Sequence, residues 1–566
     1  MYISLLPCSP KVCRSVDNKL VLYPKIIGTF GHLTNHQNDM KNFYTLLTFS
    51  FLIASSFSIM NCTPRYDILI QNGLVYDGNN GAPVKADIAI ADGYIVKMAE
   101  KINTLAIRKI DATGSVVTPG FIDVHTHLEP LPILPQAESH VRQGVTTAMG
   151  GPDGSGPLSI RNYLDSLTAL GIGINAGYLI GHNAVRLEVM GLENREPTGE
   201  ELERMKGLVE KAMEGGAFGM STGLKYLPGA FAKTDEVIEL SKVAATHGGI
   251  YTSHIREEGL GLLDAVSETI EIAEKANIPV VLTHHKAIGQ PMWGSSKTTL
   301  AMVDSARARG LNVMIDQYPY TASHTSINVL IPAWAMEGDK VAGFAKRCED
   351  PVLRDSIKKG IIFSILNDRG GGDLRRIQFS NFNWKPELGG KTLHDWALAE
   401  GMEPTPENGA ELVIQAQIHK GAQCIFHAIN EEDVIRIMRH PQTMIASDGR
   451  LNEFGQGHPH PRAYGTFPRV LGHYSRDKGV LTLETAIYKM TGLPAKNFSI
   501  DKRGILKEGN FADVTIFDAE KIIDKATFEA PHQYPEGIRF VIINGKITID
   551  EGKYHDVRAG RALRKK

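Results

Sequence analysis

Residues 118–127 read Thr-Pro-Gly-Phe-Ile-Asp-Val-His-Thr-His, and the interpretation of the whole chain starts from this segment. Phe121 and Ile122 follow a Pro-Gly break and predict a short buried strand. His125 and His127 end that strand two residues apart, so side-chain alternation places both imidazoles on the same side of its C-terminal end. Two neutral imidazoles held in this way can ligate one divalent metal, whereas the alternative is a pair of histidines on a surface loop. More histidines at later strand ends would favour the metal site.

The middle of the chain alternates short apolar strands with amphipathic helices, which is typical of a parallel sheet closed into a barrel. Helices are predicted at 198–215 and 234–247. After 121–124, the predicted strands are 145–149, 172–180, 218–221, 250–253, 279–283, 312–316, 422–426 and 443–446. This is one strand more than an eight-stranded barrel needs. The extra one is expected to be 422–426, as part of an excursion between Pro332 and Asn408 that has the character of an inserted subdomain.

The C-terminal ends of the strands carry the chemistry in barrels of this kind, and three further candidates stand there. His254 and His284 each end a predicted strand, and Asp448 follows the last one. Together with His125 and His127 they form a possible two-metal set, in which Asp448 is placed to take a proton from the attacking water. Any one of the five alone is more often a core or surface residue, but their common position favours a site.

Composition narrows the functional classes. The chain has 566 residues, a mass of 62.0 kDa and a formal net charge of −2. A nearly neutral chain without a basic stripe is not expected to bind nucleic acid. Its five cysteines are scattered without CxxC spacing, so they indicate neither a disulfide framework nor a zinc finger.

Residues 1–62 are predicted to be an export signal region and not part of the fold. After Met40, the expected true start, a lysine precedes a largely apolar run over 43–60. Serines and threonines interrupt this run, which argues against a permanent transmembrane helix, and a buried amphipathic helix is the alternative. The segment resembles a bacterial lipoprotein signal with Cys62 as the lipidated residue, although an asparagine precedes that cysteine. We therefore expect a periplasmic or membrane-anchored protein whose only membrane contact is this anchor.

Both ends of the remaining chain show short strands and turns. Asp92-Gly93 and Asn544-Gly545 are strong hairpin-turn signals. The segments 63–117 and 481–566 are therefore predicted to build one small β domain together. The barrel is expected over 118–480, with the inserted subdomain at about 333–408.

A serine hydrolase is the alternative to an enzyme that uses the two-metal set. Residues 219–223 fit the Gly-x-Ser-x-Gly pattern of a nucleophile elbow around Ser221, with Asp448 and then His460 following in the order of the α/β-hydrolases. The pattern is short, however, and it leaves the four strand-end histidines without a role. Requirement for a metal separates the two enzyme classes, while a binding protein on the same barrel would have no turnover.

Several longer motifs carry a resemblance to a known family. They are 120–127, 219–224, 254–259, 447–449, 460–462 and 465–469. The chain resembles the metal-dependent amidohydrolase superfamily and, within it, the N-acyl-D-amino-acid deacylases, or D-aminoacylases. The resemblance runs from about Asp67 to the C-terminus. It implies a deformed (β/α)8 barrel that binds zinc, one or two ions per chain, joined to a small β-sandwich built from both ends.

The resemblance also implies roles for individual residues. The implied metal ligands are His125, His127, His254, His284 and Asp448, and Asp448 is in addition the general acid and base. Lys286 and Arg462 match the cations that hold the free carboxylate of the substrate. Tyr318 matches a tyrosine beside the scissile amide, with Tyr320 as the alternative. The expected reaction is hydrolysis of N-acyl-D-amino acids, or of dipeptides with a C-terminal D-residue; other cyclic-amide or dipeptide hydrolysis is the alternative.

One departure from the family pattern needs a replacement. Typical members carry a metal-ligating cysteine after the second strand, where this chain reads Gly-Gly-Pro-Asp-Gly around Asp153. Either Asp153 takes the place of the cysteine or another residue bridges the metals. Related amidohydrolases use a lysine carboxylated by CO₂ after the fourth strand, and Lys225 stands there. Because the turn geometry already accounts for an aspartate at 153, the sequence favours Lys225 as the bridging ligand.

Overall fold

The structure is a computed structural model that describes residues 66–338 and 341–566. The predicted export signal and Cys62 lie outside the described residues. Within the described residues, no helix combines the length and the apolar composition that crossing a membrane requires.

The two ends of the described chain meet in one nine-stranded sheet, the β-sandwich domain. Val116–Pro119 runs antiparallel to Val514–Phe517, and this pairing joins the N-terminal strands to the C-terminal ones. The nine strands are Tyr66–Val75, Val84–Ala91, Tyr94–Ala99, Ala106–Asp111, Val116–Pro119, Val514–Phe517, Ile538–Ile543, Lys546–Asp550 and Lys553–Tyr554. The hairpin at Asp92-Gly93 has φ angles of 52° and 82°, which suit a tight turn between twisted strands.

Eight parallel strand positions form the deformed (β/α)8 barrel in the described part of the chain. They are Phe121–Asp123, Val145–Gly150, Asn175–Tyr178 continued by Ile180–Gly181, Gly219–Gly223, Ile250–His254, Val280–Leu282, Val313–Gln317 and Thr443–Ile445. The barrel closes where Thr126–His127 pairs with Gly449–Arg450. There the backbone N–H of Asp448 donates to the carbonyl of His125 at 2.9 Å, so the first and last strand ends are joined at the predicted site.

Helices cover the outside of the barrel. They are Glu138–Val141, Ile160–Leu170, His182–Met190, Gly199–Glu214, Thr234–Thr246, Leu262–Ala276, Ser296–Ala308, Glu431–Arg439, Arg462–Arg469, Leu483–Met490 and Gly492–Asn497. The predicted helix at 198–215 begins after Thr198 because that residue caps it. The Thr198 hydroxyl accepts from the N–H of Glu201, whose carboxylate in turn accepts from the N–H of Thr198.

The ninth predicted strand belongs to an insertion, as expected. Gln423–Phe426 pairs with Ser323–Ser326 and Ile377–Asn381 in a separate antiparallel sheet. The helices Ala342–Glu349, Pro351–Asn367, Leu393–Ala399 and Pro406–Ile418 pack on this sheet around a hydrophobic core of their own. The insertion is wider than the predicted range 333–408, since its sheet also includes Ser323–Ser326 and Gln423–Phe426. The sequence does not reveal the first of these strands, Ser-His-Thr-Ser, because it has no apolar residue.

Candidate active site

The strand ends bring two groups of potential metal ligands together. His125, His127, Asp153 and Asp448 form the first group, in which one ligand atom of each lies within 4.8 Å of the others. Asp153, His254 and His284 form the second. The five residues predicted from strand ends therefore lie around Asp153, which belongs to both groups.

Asp153 has the geometry of a bridging ligand. Its Oδ1 lies 3.4 Å from His125 Nε2, 3.5 Å from His284 Nε2 and 3.8 Å from His254 Nδ1. Its Oδ2 lies 3.7 Å from His127 Nε2. Oδ1 is buried and has no hydrogen-bond partner among the described residues. Oδ1 of Asp153 thus faces a histidine of each ligand group, which is the position of an anion that would lie between two metal ions.

Lys225 does not reach this cluster, which corrects the bridging role that the sequence favoured. Its Nζ lies 2.6 Å from Glu257 Oε2, and the two side chains form an ion pair. Lys225 lines a neighbouring cavity behind Tyr226 and Leu227 instead of the one that contains the histidines. The turn geometry that seemed to explain Asp153 is the means by which its carboxylate enters the site.

The donor set fits a divalent metal. Both ring nitrogens of His125 and the Oδ1 of Asp153 are buried without a hydrogen-bond partner in the described chain, and such orphaned polar atoms call for an explanation. Burial alone would lower the pKa of His125, but Asp153 and Asp316 outweigh it and raise this pKa well above its usual value. Burial is likewise outweighed at His127, where Glu129 and Asp448 raise the pKa to about 10. A pocket that attracts protons so strongly also attracts cations, and imidazole with carboxylate suits zinc.

The two carboxylate oxygens of Asp448 have different neighbours. Its Oδ1 lies 3.3 Å from His127 Nε2 and 3.6 Å from His125 Nε2, while its Oδ2 lies 2.7 Å from Arg462 Nη1. Burial disfavours the charge, but Arg462 and the nearby histidines outweigh it and hold the pKa of Asp448 below its usual range. The side chain is therefore an ionised acceptor between the metal ligands and a cation.

The predicted substrate-binding residues line the same cavity, which has a volume of about 400 Å³. The guanidinium of Arg462 lies 4.7 Å from the ring centre of Tyr318, and the ammonium of Lys286 lies 5.5 Å from it. The Tyr318 hydroxyl is buried without a partner in the described residues, so it is available to a ligand. Tyr320 packs against His460 and Arg469 and is absent from the described lining, which favours Tyr318.

Ser221 has a structural role. Its Oγ donates to the carbonyl of Gly151 at 2.6 Å and accepts from the N–H of Gly154 at 3.1 Å. His460 is occupied as well, because its Nε2 bonds the Ala322 carbonyl at 3.0 Å and its Nδ1 accepts from the N–H of Arg462. The serine-hydrolase alternative therefore has neither a free nucleophile nor a base beside it.

Sequence reasoning missed two buried charged residues of the cavity. Glu258 stands four residues after His254, and this spacing was a signal that could have revealed it. Its Oε1 lies 2.5 Å from Lys286 Nζ. Arg369 comes from the insertion, donates from Nη1 to Ser323 Oγ at 3.2 Å, and could not be assigned to the site without knowing how the insertion folds.

Comparison with known proteins agrees with this site. A D-aminoacylase of Alcaligenes xylosoxydans xylosoxydans is 35% identical over 526 residues, which cover 88% of this chain and 97% of the relative. A solved D-aminoacylase structure, studied for the role of its binuclear metal centre, matches with a TM-score of 0.75 and 34% identity over 88% of this chain and 100% of its own. An N-acyl-D-glutamate deacylase of Bordetella bronchiseptica, solved with zinc and a phosphonate mimic of the tetrahedral intermediate, gives 0.74 and 31% over the same shares.

The family model that matches covers most of the chain. It is that of the amidohydrolase family, and it aligns with residues 108–350 and 391–549. These ranges contain both groups of metal ligands and the three substrate-binding candidates. The chain is a member of the amidohydrolase family.

Proposed function

We propose that this protein is a zinc-dependent hydrolase that cleaves the amide bond of N-acyl-D-amino acids and releases a carboxylate and a D-amino acid. The observation that carries the proposal is the position of Asp448. One of its oxygens faces the ligand cluster and the other faces Arg462, a cation that can hold the carboxylate of an amino acid. The scissile amide of such a substrate then lies beside the proton acceptor.

The chain supplies the parts of a hydrolytic reaction. A divalent metal in this cluster supplies Lewis-acid chemistry, since it polarises a carbonyl and lowers the pKa of water to about 7. Asp448, which is ionised, accepts the proton of the attacking water and returns it to the leaving nitrogen. Asp153 lies between the two ligand groups, where its negative charge would offset the positive charge of metals held there.

The carboxylate end of the substrate has its own donors. Arg462 offers a planar fork of N–H groups that matches a carboxylate, and it lies 4.7 Å from the ring centre of Tyr318, whose hydroxyl has no partner among the described residues. Lys286, whose ammonium lies 5.5 Å from the centre of the Tyr318 ring, adds a second cation. The D configuration is supported by the relatives, a D-aminoacylase and an N-acyl-D-glutamate deacylase.

A substrate screen tests the proposal. We expect zinc-loaded protein to hydrolyse N-acyl-D-amino acids faster than their L enantiomers, with dipeptides that end in a D-residue as the second substrate class. Replacing Arg462 by methionine should lower kcat/KM for the acids by about 10²-fold or more, because a charged hydrogen-bond partner is lost. The same variant should lose less activity on the corresponding amides, for which only the contact of Arg462 with Asp448 is missing. A loss of equal size on acids and amides would contradict the carboxylate grip.

We propose in addition that the protein is exported. It rests on the sequence of residues 1–62 alone, in which a lysine, an apolar run and Cys62 follow one another. Fractionation of expressing bacteria after labelling with a radioactive fatty acid tests it. We expect label in the membrane fraction for the full chain and soluble periplasmic protein for Cys62→Ser. Cytoplasmic protein in both cases would exclude export.

A further inference from the structure

Glu258 is a buried carboxylate to which neither the metal cluster nor the carboxylate grip assigns a role. It follows the strand Ile250–His254, and only 3% of its surface is exposed. Its two oxygens face different neighbours. Oε1 lies 3.2 Å from His284 Nδ1 and 2.5 Å from Lys286 Nζ, while Oε2 lies 3.9 Å from His254 Nε2.

The nitrogens that face Glu258 are the outer ones of both histidines in the second ligand group. His254 turns Nδ1 and His284 turns Nε2 towards Asp153, at 3.8 and 3.5 Å. A histidine that gives one nitrogen to a metal carries its proton on the other, which then donates to an acceptor. On that side the carboxylate of Glu258 lies within hydrogen-bond distance of His284 Nδ1, and it faces His254 Nε2 at 3.9 Å, which is beyond hydrogen-bond distance.

Lys286 forms an ion pair with the carboxylate of Glu258. Its ammonium has three N–H groups, and three protein acceptors lie within reach: Glu258 Oε1 at 2.5 Å, the His284 carbonyl at 2.7 Å and His284 Nδ1 at 2.7 Å. The last contact needs an unprotonated Nδ1, so it competes with donation from His284 to Glu258. If Nε2 of His284 held a metal, Nδ1 would carry the proton and one N–H of Lys286 would be free to face the cavity.

We propose that Glu258 is a positioning residue for the second metal site. It orients His284 through the outer ring nitrogen, holds a carboxylate oxygen towards the outer nitrogen of His254, and anchors Lys286 beside them. The inference deepens the proposed function, on which it rests only for the role of Lys286. It assigns Glu258 to no bond-making step. Partners of this kind typically change metal affinity by about 10- to 100-fold when they are removed.

Zinc affinity is the direct test, and the chain supplies a matched control. Glu258→Gln keeps the size of the side chain and removes its charge. Glu257→Gln makes the same change one residue earlier, in a carboxylate that pairs with Lys225 and not with the histidines. Oε1 of Glu257 also accepts from the backbone N–H groups of Glu258 and Gly259, and the amide oxygen of glutamine can keep these two bonds. Zinc dissociation constants of full-length protein are measured by competition with a chromophoric chelator. We expect Glu258→Gln to weaken at least one zinc-binding step by about 10- to 100-fold and Glu257→Gln to leave every step within about threefold of wild type.

Two further measurements keep the test decisive. Glu258→Asp retains the charge on a shorter stem and should recover part of the lost affinity, which a general packing defect would not allow. The visible spectrum of the cobalt-substituted protein should change in Glu258→Gln, since the orientation of the ligating rings changes. Zinc affinities and cobalt spectra equal to those of wild type in Glu258→Gln would overturn the proposal. Because neither readout needs a substrate, failure of the proposed amide hydrolysis would not be mistaken for failure of this inference.

Discussion

Asp153 reaches both ligand groups through a backbone conformation that few side chains adopt. Its φ angle is 54°, in the left-handed region that aspartate tolerates better than most residues. The neighbouring glycines at 151 and 154 also have positive φ angles, 73° and 76°. Aspartate therefore suits position 153 in two respects: its carboxylate can bind metal, and its backbone tolerates a positive φ angle.

Asp153 should be required for metal binding, whereas Lys225 should not. Asp153→Ala removes the anion between two groups of histidines, so we expect loss of at least one metal and a fall in kcat of about 10²-fold or more. Lys225→Ala breaks only the ion pair with Glu257 and should keep its metal. Metal content after dialysis and kcat are measured for both variants. The opposite pattern, with metal lost from Lys225→Ala alone, would restore the lysine as the bridge.

Zinc affinity should rise with pH. The carboxylates raise the pKa values of His125 and His127, so the metal-free site holds protons at neutral pH that zinc must displace. Raising the pH removes these protons and favours zinc, by up to about tenfold per pH unit for each proton released. Dissociation constants at pH 6, 7 and 8 check the sign. Calorimetry in buffers of different ionisation enthalpy counts the protons, and a count of zero would contradict the pKa directions.

At the scale of elements, the loop after the second barrel strand is held by its neighbours. Ser221, on the fourth strand, bonds the Gly151 carbonyl and the Gly154 N–H on either side of Asp153. The N–H of Ala184, in the helix His182–Met190, donates to the carbonyl of Gly154 at 3.0 Å. The position of the bridging carboxylate is thus fixed by a strand and a helix, and not by the loop alone.

Ser221→Ala distinguishes this structural role from a catalytic one. Loss of two buried hydrogen bonds should destabilise the loop by about 1–3 kcal/mol and weaken zinc binding. At saturating zinc, kcat should stay within about tenfold of wild type. A nucleophilic serine would instead lose activity by about 10⁶-fold. Turnover measured across a zinc titration separates the two outcomes.

Strands could be predicted from the sequence where apolar runs end in a polar residue, but their partners could not. His254 and His284 were assigned on that pattern, and the parallel pairing of their strands brings them together. The strand Ser323–Ser326 has no apolar run, so the sequence predicts a shorter insertion than the structure shows. The choice between Asp153 and Lys225, which the sequence leaves open with a preference for Lys225, could not be settled there for another reason. It depends on where two loops point, which no local pattern encodes.

At the scale of the whole molecule, the ligand cluster ties distant parts of the chain together. Its members come from the first, second, fifth, sixth and eighth barrel strands or the loops after them. A metal that binds the native cluster, and not the unfolded chain, stabilises the native state by an amount that grows with the ratio of free metal to Kd.

Chelation should therefore lower thermal stability as well as activity. At a zinc concentration about 100 times Kd, the stabilisation is about 2.7 kcal/mol, which is about 5–11 °C in Tm for a domain of 150–250 residues and less for a longer chain. Scanning calorimetry before and after removal of metal, and after zinc is added back, measures this. Unchanged Tm together with unchanged activity in protein shown to be metal-free would remove the basis for a metal site.

The sheet that joins both ends of the chain has a consequence for how the protein is made. The Thr118 hydroxyl bonds the carbonyl of Thr515, 397 positions later. At a synthesis rate of roughly 5–20 residues per second, the edge strand at Val116–Pro119 waits roughly 20–80 seconds for its partner. During that time it is an open template for any other extended chain. A ribosome that stops early thus releases a polypeptide in which this strand edge is uncovered and can pair with another extended chain.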